Sequence, residues 1–187
     1  MGIIGEDVIP DQGDEGVVIA AYGSAAGISR GGASLLFDRT GAVETSDYFG
    51  VALASGDFDG DGFEDLAVGA HGEDYTSGMT DMGAVTVFRG QVSGFDGQAI
   101  ARKLAPSSYP TGMIAQRPGE SDLNAQYGRT LAAGDFDGNG FGDLAIGAPA
   151  RSLGASGAVG AAAVVYGQLF ADGFESDDAL EWSTLLP

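Results

Sequence analysis

Asp57-Phe58-Asp59-Gly60-Asp61-Gly62-Phe63-Glu64-Asp65 is answered 78 residues later by Asp135-Phe136-Asp137-Gly138-Asn139-Gly140-Phe141-Gly142-Asp143. Each nonapeptide carries oxygen side chains at positions 1, 3, 5 and 9 and glycine at positions 4 and 6. The match extends outward in both directions. Upstream, Phe49-Gly50-Val51-Ala52-Leu53-Ala54-Ser55-Gly56 pairs with Tyr127-Gly128-Arg129-Thr130-Leu131-Ala132-Ala133-Gly134. Downstream, Leu66-Ala67-Val68-Gly69-Ala70 pairs with Leu144-Ala145-Ile146-Gly147-Ala148. Further on, the run from Gly83 to Gly90 returns 77 residues later as Gly160 to Gly167. A repeat of this length, read before anything else, points to an array of identical supersecondary units.

A third, partial copy opens the chain. Gly5-Glu6-Asp7, Gly16-Val17-Val18 and Tyr22-Gly23 stand 67 residues ahead of Gly72-Glu73-Asp74, Gly83-Ala84-Val85 and Arg89-Gly90. The different spacing is absorbed between Gly90 and Tyr127, a stretch holding Pro106, Pro110 and Pro118 that reads as an inserted surface loop. Within one repeat four strands are expected, over 48–56, 65–71, 83–89 and 100–104. Alternating apolar residues such as Val51/Leu53 and Val85/Val87 fit a pleat, with Gly and Asp at the turns. Ser34–Phe37 and Leu180–Ser183 are the counterparts of the fourth strand. Four short strands per repeat make a propeller blade. The fold class is therefore all-β, a partial β-propeller of about two and a half blades. The units are 1–47, lacking its first strand and acidic loop; 48–126, complete; 127–170; and 171–187, a tail or last strand.

The acidic loops have the chemistry of a hard-cation site. Calcium takes about 6–8 oxygen ligands at flexible geometry. Alternate residues of a tight loop can point inward together, and Gly60 and Gly62 let the backbone wrap closely. The carbonyls of Phe63 and Phe141 at position 7 can add a main-chain oxygen, and Asp65 and Asp143 can close the shell. Magnesium suits such a loop less well, because it wants rigid octahedral geometry and keeps its waters. Zinc is disfavoured by the want of Cys and the single His. The loops are not EF-hands, since position 12 is Val68 in one and Ile146 in the other. By count of acids alone, the first loop, with four, should bind more tightly than the second, with three and Asn139.

The Phe49-Gly50 opening, the acidic loop and the Gly69-Ala70-His71 or Gly147-Ala148-Pro149 close resemble FG-GAP repeats, which build the β-propeller of integrin α subunits and of related bacterial extracellular proteins. The resemblance spans about residues 2–170. It implies calcium ligands at Asp57, Asp59, Asp61, Phe63 (backbone) and Asp65, and at Asp135, Asp137, Asn139, Phe141 (backbone) and Asp143, about two Ca²⁺ per chain. It also implies an extracellular or cell-surface adhesion module with a protein or glycan ligand. The alternative is a non-catalytic accessory domain of a larger secreted hydrolase or lyase. His71 and Tyr127 depart from the pattern, at positions outside the ligand set. Closed propellers need 4–8 blades, so missing blades of a parent chain or self-association are expected. A C-terminal run, Leu169 to Ser176, resembles the tail of secreted bacterial proteins.

Composition excludes several functions. The net charge is −19, from 27 acids and 8 bases with no basic cluster, which rules against nucleic acid and anionic membranes. There are no cysteines, hence no disulfide, thiolate metal site or Cys nucleophile. The N-terminus has no basic region or long apolar run, so no signal peptide is expected. The most apolar run, Gly157–Tyr166, is too short for a bilayer and reads as a buried strand. No phosphate-binding glycine loop occurs. His71 reads as a turn-edge residue, and the crowded carboxylates as metal ligands rather than general acids. Phe58, Phe63, Phe136 and Phe141 read as packing residues between blades, and Trp182 as a core or edge anchor. The expectation is a non-enzymatic protein.

Overall fold

Glycine and aspartate punctuate short runs of Ala, Val, Leu and Ile, and in a computed structural model those runs are strands. The structure describes residues 2–3, 16–25, 27–36, 46–74, 81–95, 100–104, 124–152 and 157–167. The first sheet holds β1 (Gly2–Ile3), β2 (Val17–Ser24) and β3 (Gly27–Leu36). The second holds β4 (Ala52–Gly56), β5 (Asp65–Ala70), β6 (Ala84–Phe88) and β7 (Ile100–Leu104). The third holds β8 (Thr130–Gly134), β9 (Asp143–Ala148) and β10 (Ala161–Val165). Every pairing is an antiparallel meander of neighbours in sequence. The fold is all-β, with small sheets arranged as propeller blades. The proline-bearing insertion, Leu180–Ser183 and Trp182 lie outside the described residues.

Strand register repeats with the sequence. Gly56 faces Asp65 and Leu53 faces Val68 in the second sheet, while Gly134 faces Asp143 and Leu131 faces Ile146 in the third. In the first sheet Gly2 pairs with Val18 and Ile3 with Val17, which matches Gly69 with Val85 and Ala70 with Ala84. Thus β1, β2 and β3 occupy the places of β5, β6 and β7. Among the described residues the first sheet has no counterpart of β4. The expected first strand, 48–56, begins only at Ala52. Phe49-Gly50 forms a turn instead, with Gly50 at φ 93° and the Val51 N–H donating to the Tyr48 carbonyl at 3.1 Å.

The sheets stack face to face, and the pleat decides which side chain enters which layer. Leu66, Val68, Ala70 and Phe88 pack with Val18, Leu36 and Phe49 between the first and second sheets. Ala67, Val85, Val87 and Phe58 pack with Tyr127, Leu144, Ile146 and Val165 between the second and third. Leu144, Ile146 and Ala148 use the same face toward the second sheet that Leu66, Val68 and Ala70 use toward the first. Each layer is bounded by a glycine pressed on the next repeat's opening turn. Gly83, at φ +81°, forms a parallel bridge with Tyr127. The Tyr127 N–H donates to the Met82 carbonyl at 3.0 Å.

A Cβ at Gly83 would collide with the Tyr127 backbone, whereas one at Gly138, also at positive φ, meets nothing. Gly83→Ala should therefore destabilise the chain by about 2 kcal/mol or more. Gly138→Ala should cost about 1 kcal/mol, from its left-handed backbone alone. Urea denaturation of the two variants checks the order.

Candidate metal centre

Each acidic loop folds back on its own carboxylates. In the first, the Asp57 carboxylate accepts the Gly60 N–H at 2.8 Å and the Gly62 N–H at 3.0 Å. Asp59 accepts the Asp61 N–H at 3.1 Å, and Asp61 accepts the Phe63 N–H at 2.9 Å. Gly60 and Gly62 sit at φ 74° and 89°, a left-handed backbone that glycine adopts without strain. The second loop repeats the pattern. Asp135 accepts from Gly138 at 2.8 Å and Gly140 at 3.0 Å, and Asp137 accepts from Asn139 at 3.1 Å. The Asn139 side-chain oxygen accepts the Phe141 N–H at 2.8 Å, the bond that Asp61 makes in the first loop.

The ninth residue does something different. Asp65 is 2% exposed. Its two oxygens accept the Phe58 N–H at 3.0 Å and the Gly90 N–H at 2.8 Å. It ties the start of its loop to the end of β6. Asp143, fully buried, makes the same two bonds, to Phe136 at 2.7 Å and Gly167 at 2.8 Å. Gly90 and Gly167 were not singled out as site residues, although their recurrence in the repeat was the available signal.

The two loops also touch. The Gly142 N–H of the second donates to the Asp57 carbonyl of the first at 2.9 Å. The Phe141 ring lies so close to Gly60 that a Cβ there would overlap it. Both acidic clusters therefore stand side by side at one rim of the stacked sheets.

The donor chemistry fits a hard divalent cation. Carboxylate oxygens of Asp57, Asp59 and Asp61 lie within 4.8 Å of one another, as do those of Asp135, Asp137 and Asp143. These six side chains are all oxygen donors, half-buried to exposed except Asp143. Asp65 stands outside the first trio and Asp143 inside the second, although both carry the same brace. Burial pushes the Asp65 carboxyl up to about 6, helped by the charges of Asp59 and Asp61 and opposed by the Gly90 and Phe58 N–H groups. Burial likewise raises Asp59, against the Asp61 N–H and the guanidinium of Arg89. Arg89 Nε lies 2.7 Å from Asp59 Oδ2, a contact the sequence reading did not anticipate.

The four loop phenylalanines do not share one role. Phe58 is fully buried between the second and third sheets. Phe141 lies on Gly60, as described. Phe63 and Phe136 are 39% and 51% exposed. Phe136 is the counterpart of Phe58, but no described sheet covers its side of the third blade. His71 stacks on Tyr48 with ring centroids 4.8 Å apart, and burial lowers its pKa.

Asp65→Ala strands two buried N–H groups, so it should cost on the order of 2–4 kcal/mol even without metal, whereas Asp61→Ala, in an exposed turn, should cost under about 1 kcal/mol. Denaturant melts in a chelator compare them. With its pKa raised, Asp65 binds a proton more tightly in the folded than in the unfolded chain between 3.8 and about 6. Stability of the metal-free chain should therefore fall as pH rises through that window, by on the order of 2–3 kcal/mol. Melts from pH 3.8 to 7 in EGTA check the sign.

Residues 49–88 and 127–165 each match the FG-GAP repeat family. Among curated proteins the chain is 38% identical over 109 residues to "Integrin alpha-PS3" of Drosophila melanogaster, covering 57% of this chain and 8% of that protein. It is 37% identical over 102 residues to "Integrin alpha-5" of Xenopus laevis, covering 54% of this chain and 8% of that protein. The chain thus spans less than a tenth of the length of these relatives. The chain thus carries two stretches that match the FG-GAP repeat, in one strand register and each with the same braced acidic loop.

Proposed function

We propose that each acidic loop binds one Ca²⁺ and that the chain is part of an extracellular adhesion or ligand-binding propeller. The observation that carries this reading is the pair of carboxylate clusters, each drawn together by backbone N–H groups of its own loop. Like charges crowded this closely repel, and a dication relieves them. The ligands of one ion would be Asp57, Asp59, Asp61, the Phe63 carbonyl and Asp65. Those of the other would be Asp135, Asp137, Asn139, the Phe141 carbonyl and Asp143. Asp65 and Asp143 would serve both as ligands and as the braces already described.

Bound calcium would stiffen one rim of the blades. The loops already meet through Gly142 and Asp57, so ions there would reinforce the contact between neighbouring repeats. The likeness to integrin α subunits supports a protein or glycan ligand and a place at the cell surface. Among the described residues no helix is long and apolar enough to cross a membrane. No catalytic role is assigned to any residue.

Calorimetric titration should show about two Ca²⁺ per chain. Asp57→Ala and Asp135→Ala should each abolish one. At free calcium 100-fold above Kd, each site should add about 2.7 kcal/mol of stability, reversed by EGTA. A titration without heat, together with a melt indifferent to chelator, would overturn the reading. For the adhesive role, immobilised chain should retain its protein or glycan ligand in calcium and release it in EGTA.

A further inference from the structure

The two repeats part chemically at the residue before their brace glycine. Arg89 precedes Gly90, whose N–H holds Asp65, and Tyr166 precedes Gly167, whose N–H holds Asp143. In the first repeat the guanidinium sits 2.7 Å from Asp59, with side-chain exposures of 43% and 8%. In the second the equivalent position is an uncharged ring, and Asp137 accepts a bond from the Asn139 amide at 2.9 Å.

The charge balance changes accordingly. The first loop offers four carboxylates, Asp57, Asp59, Asp61 and Asp65, with one guanidinium held on them. The second offers three carboxylates, Asp135, Asp137 and Asp143, with neutral Asn139. Both sets therefore present three net negative charges. They are not equal toward a dication, however. One entering the first loop meets a cation fixed on a prospective ligand, in a partly covered place where water screens less than in bulk. One entering the second meets none at that position.

We propose that Arg89 is a resident counter-cation of the first loop, which holds Asp59 neutralised before a divalent cation arrives and makes that loop the weaker of the two. The proposal rests on the calcium reading of both loops. It reverses the order that counting acids implies. The second loop fills first and depends on the ion for charge relief, while the first keeps part of its relief from its own chain. The two blades therefore respond to calcium over different concentration ranges.

The test is a calorimetric Ca²⁺ titration of the full chain. In an Asp135→Ala background only the first loop binds, and in an Asp57→Ala background only the second. Arg89→Met keeps an aliphatic stem and removes the charge; Arg89→Gln removes the charge and keeps a polar head; Arg89→Lys keeps the charge. Met and Gln should each tighten the first loop about ten-fold and leave the second unchanged. Lys should stay close to the parent, and the difference should shrink in high salt. The metal-free melting temperature should fall in Arg89→Met while the rise on adding calcium grows. Unchanged or weaker binding at the first loop, with free and calcium-loaded melts lowered equally, would make Arg89 a structural tie and overturn the proposal. Absence of heat in the parent and in every variant would instead overturn the calcium reading, and this proposal with it.

Discussion

A buried carboxylate that accepts two backbone N–H groups holds each repeat together. Asp65 joins the first residues of its loop to the end of β6, and Asp143 joins its own loop to the end of β10. Removing a carboxylate from water is costly unless its oxygens are satisfied. Two N–H donors offset much of that cost, and the raised pKa of Asp65 records what they leave uncompensated. The arrangement makes strand, loop and neighbouring strand one unit. It also holds an acidic turn at a set place on the rim, so the same residue serves the fold and the candidate site.

From blade to blade the structure propagates by close approach. Gly83 lets the opening turn of the third blade lie against it, and Gly16 does the same for Phe49. Side chains alternate across each strand, so one face packs back on the preceding sheet and the other forward on the next. The middle sheet is therefore sandwiched, with Phe58, Val68, Val85 and Phe88 essentially without solvent contact. The third blade is covered on one side only by described residues, and Phe136, the equivalent of Phe58, is half in water. Exposure here follows neighbours rather than residue type.

Much was legible in one dimension because the repeat is a one-dimensional signal. Recurrence at 77–78 residues identified the acidic loops, the glycine-closed strands and the all-β class. The alternation of Val85 and Val87 marked a strand, since a pleat writes itself as period two. The four-strand reading matched β4 to β7, apart from the start of β4, where Phe49-Gly50 turns instead of extending. Equating all four loop phenylalanines failed, because a repeat shows equivalent positions but not whether a neighbour covers them.

The sequence by itself determined the oxygen-rich pattern of the loops, their exclusion from the EF-hand class and their match to the FG-GAP repeat. Those properties reside in contiguous residues and their spacing. Tertiary structure alone decided that Asp65 and Asp143 brace strands far along the chain, that Gly142 and Asp57 join the loops, and that Arg89 lies on Asp59. Each of these contacts spans 24 residues or more; the antiparallel return of a strand makes the braces and the Arg89 contact, and the packing of one sheet on the next makes the one between Gly142 and Asp57. Charge near a site is summed over space, and a count along the chain misses a cation that folding delivers from the next strand.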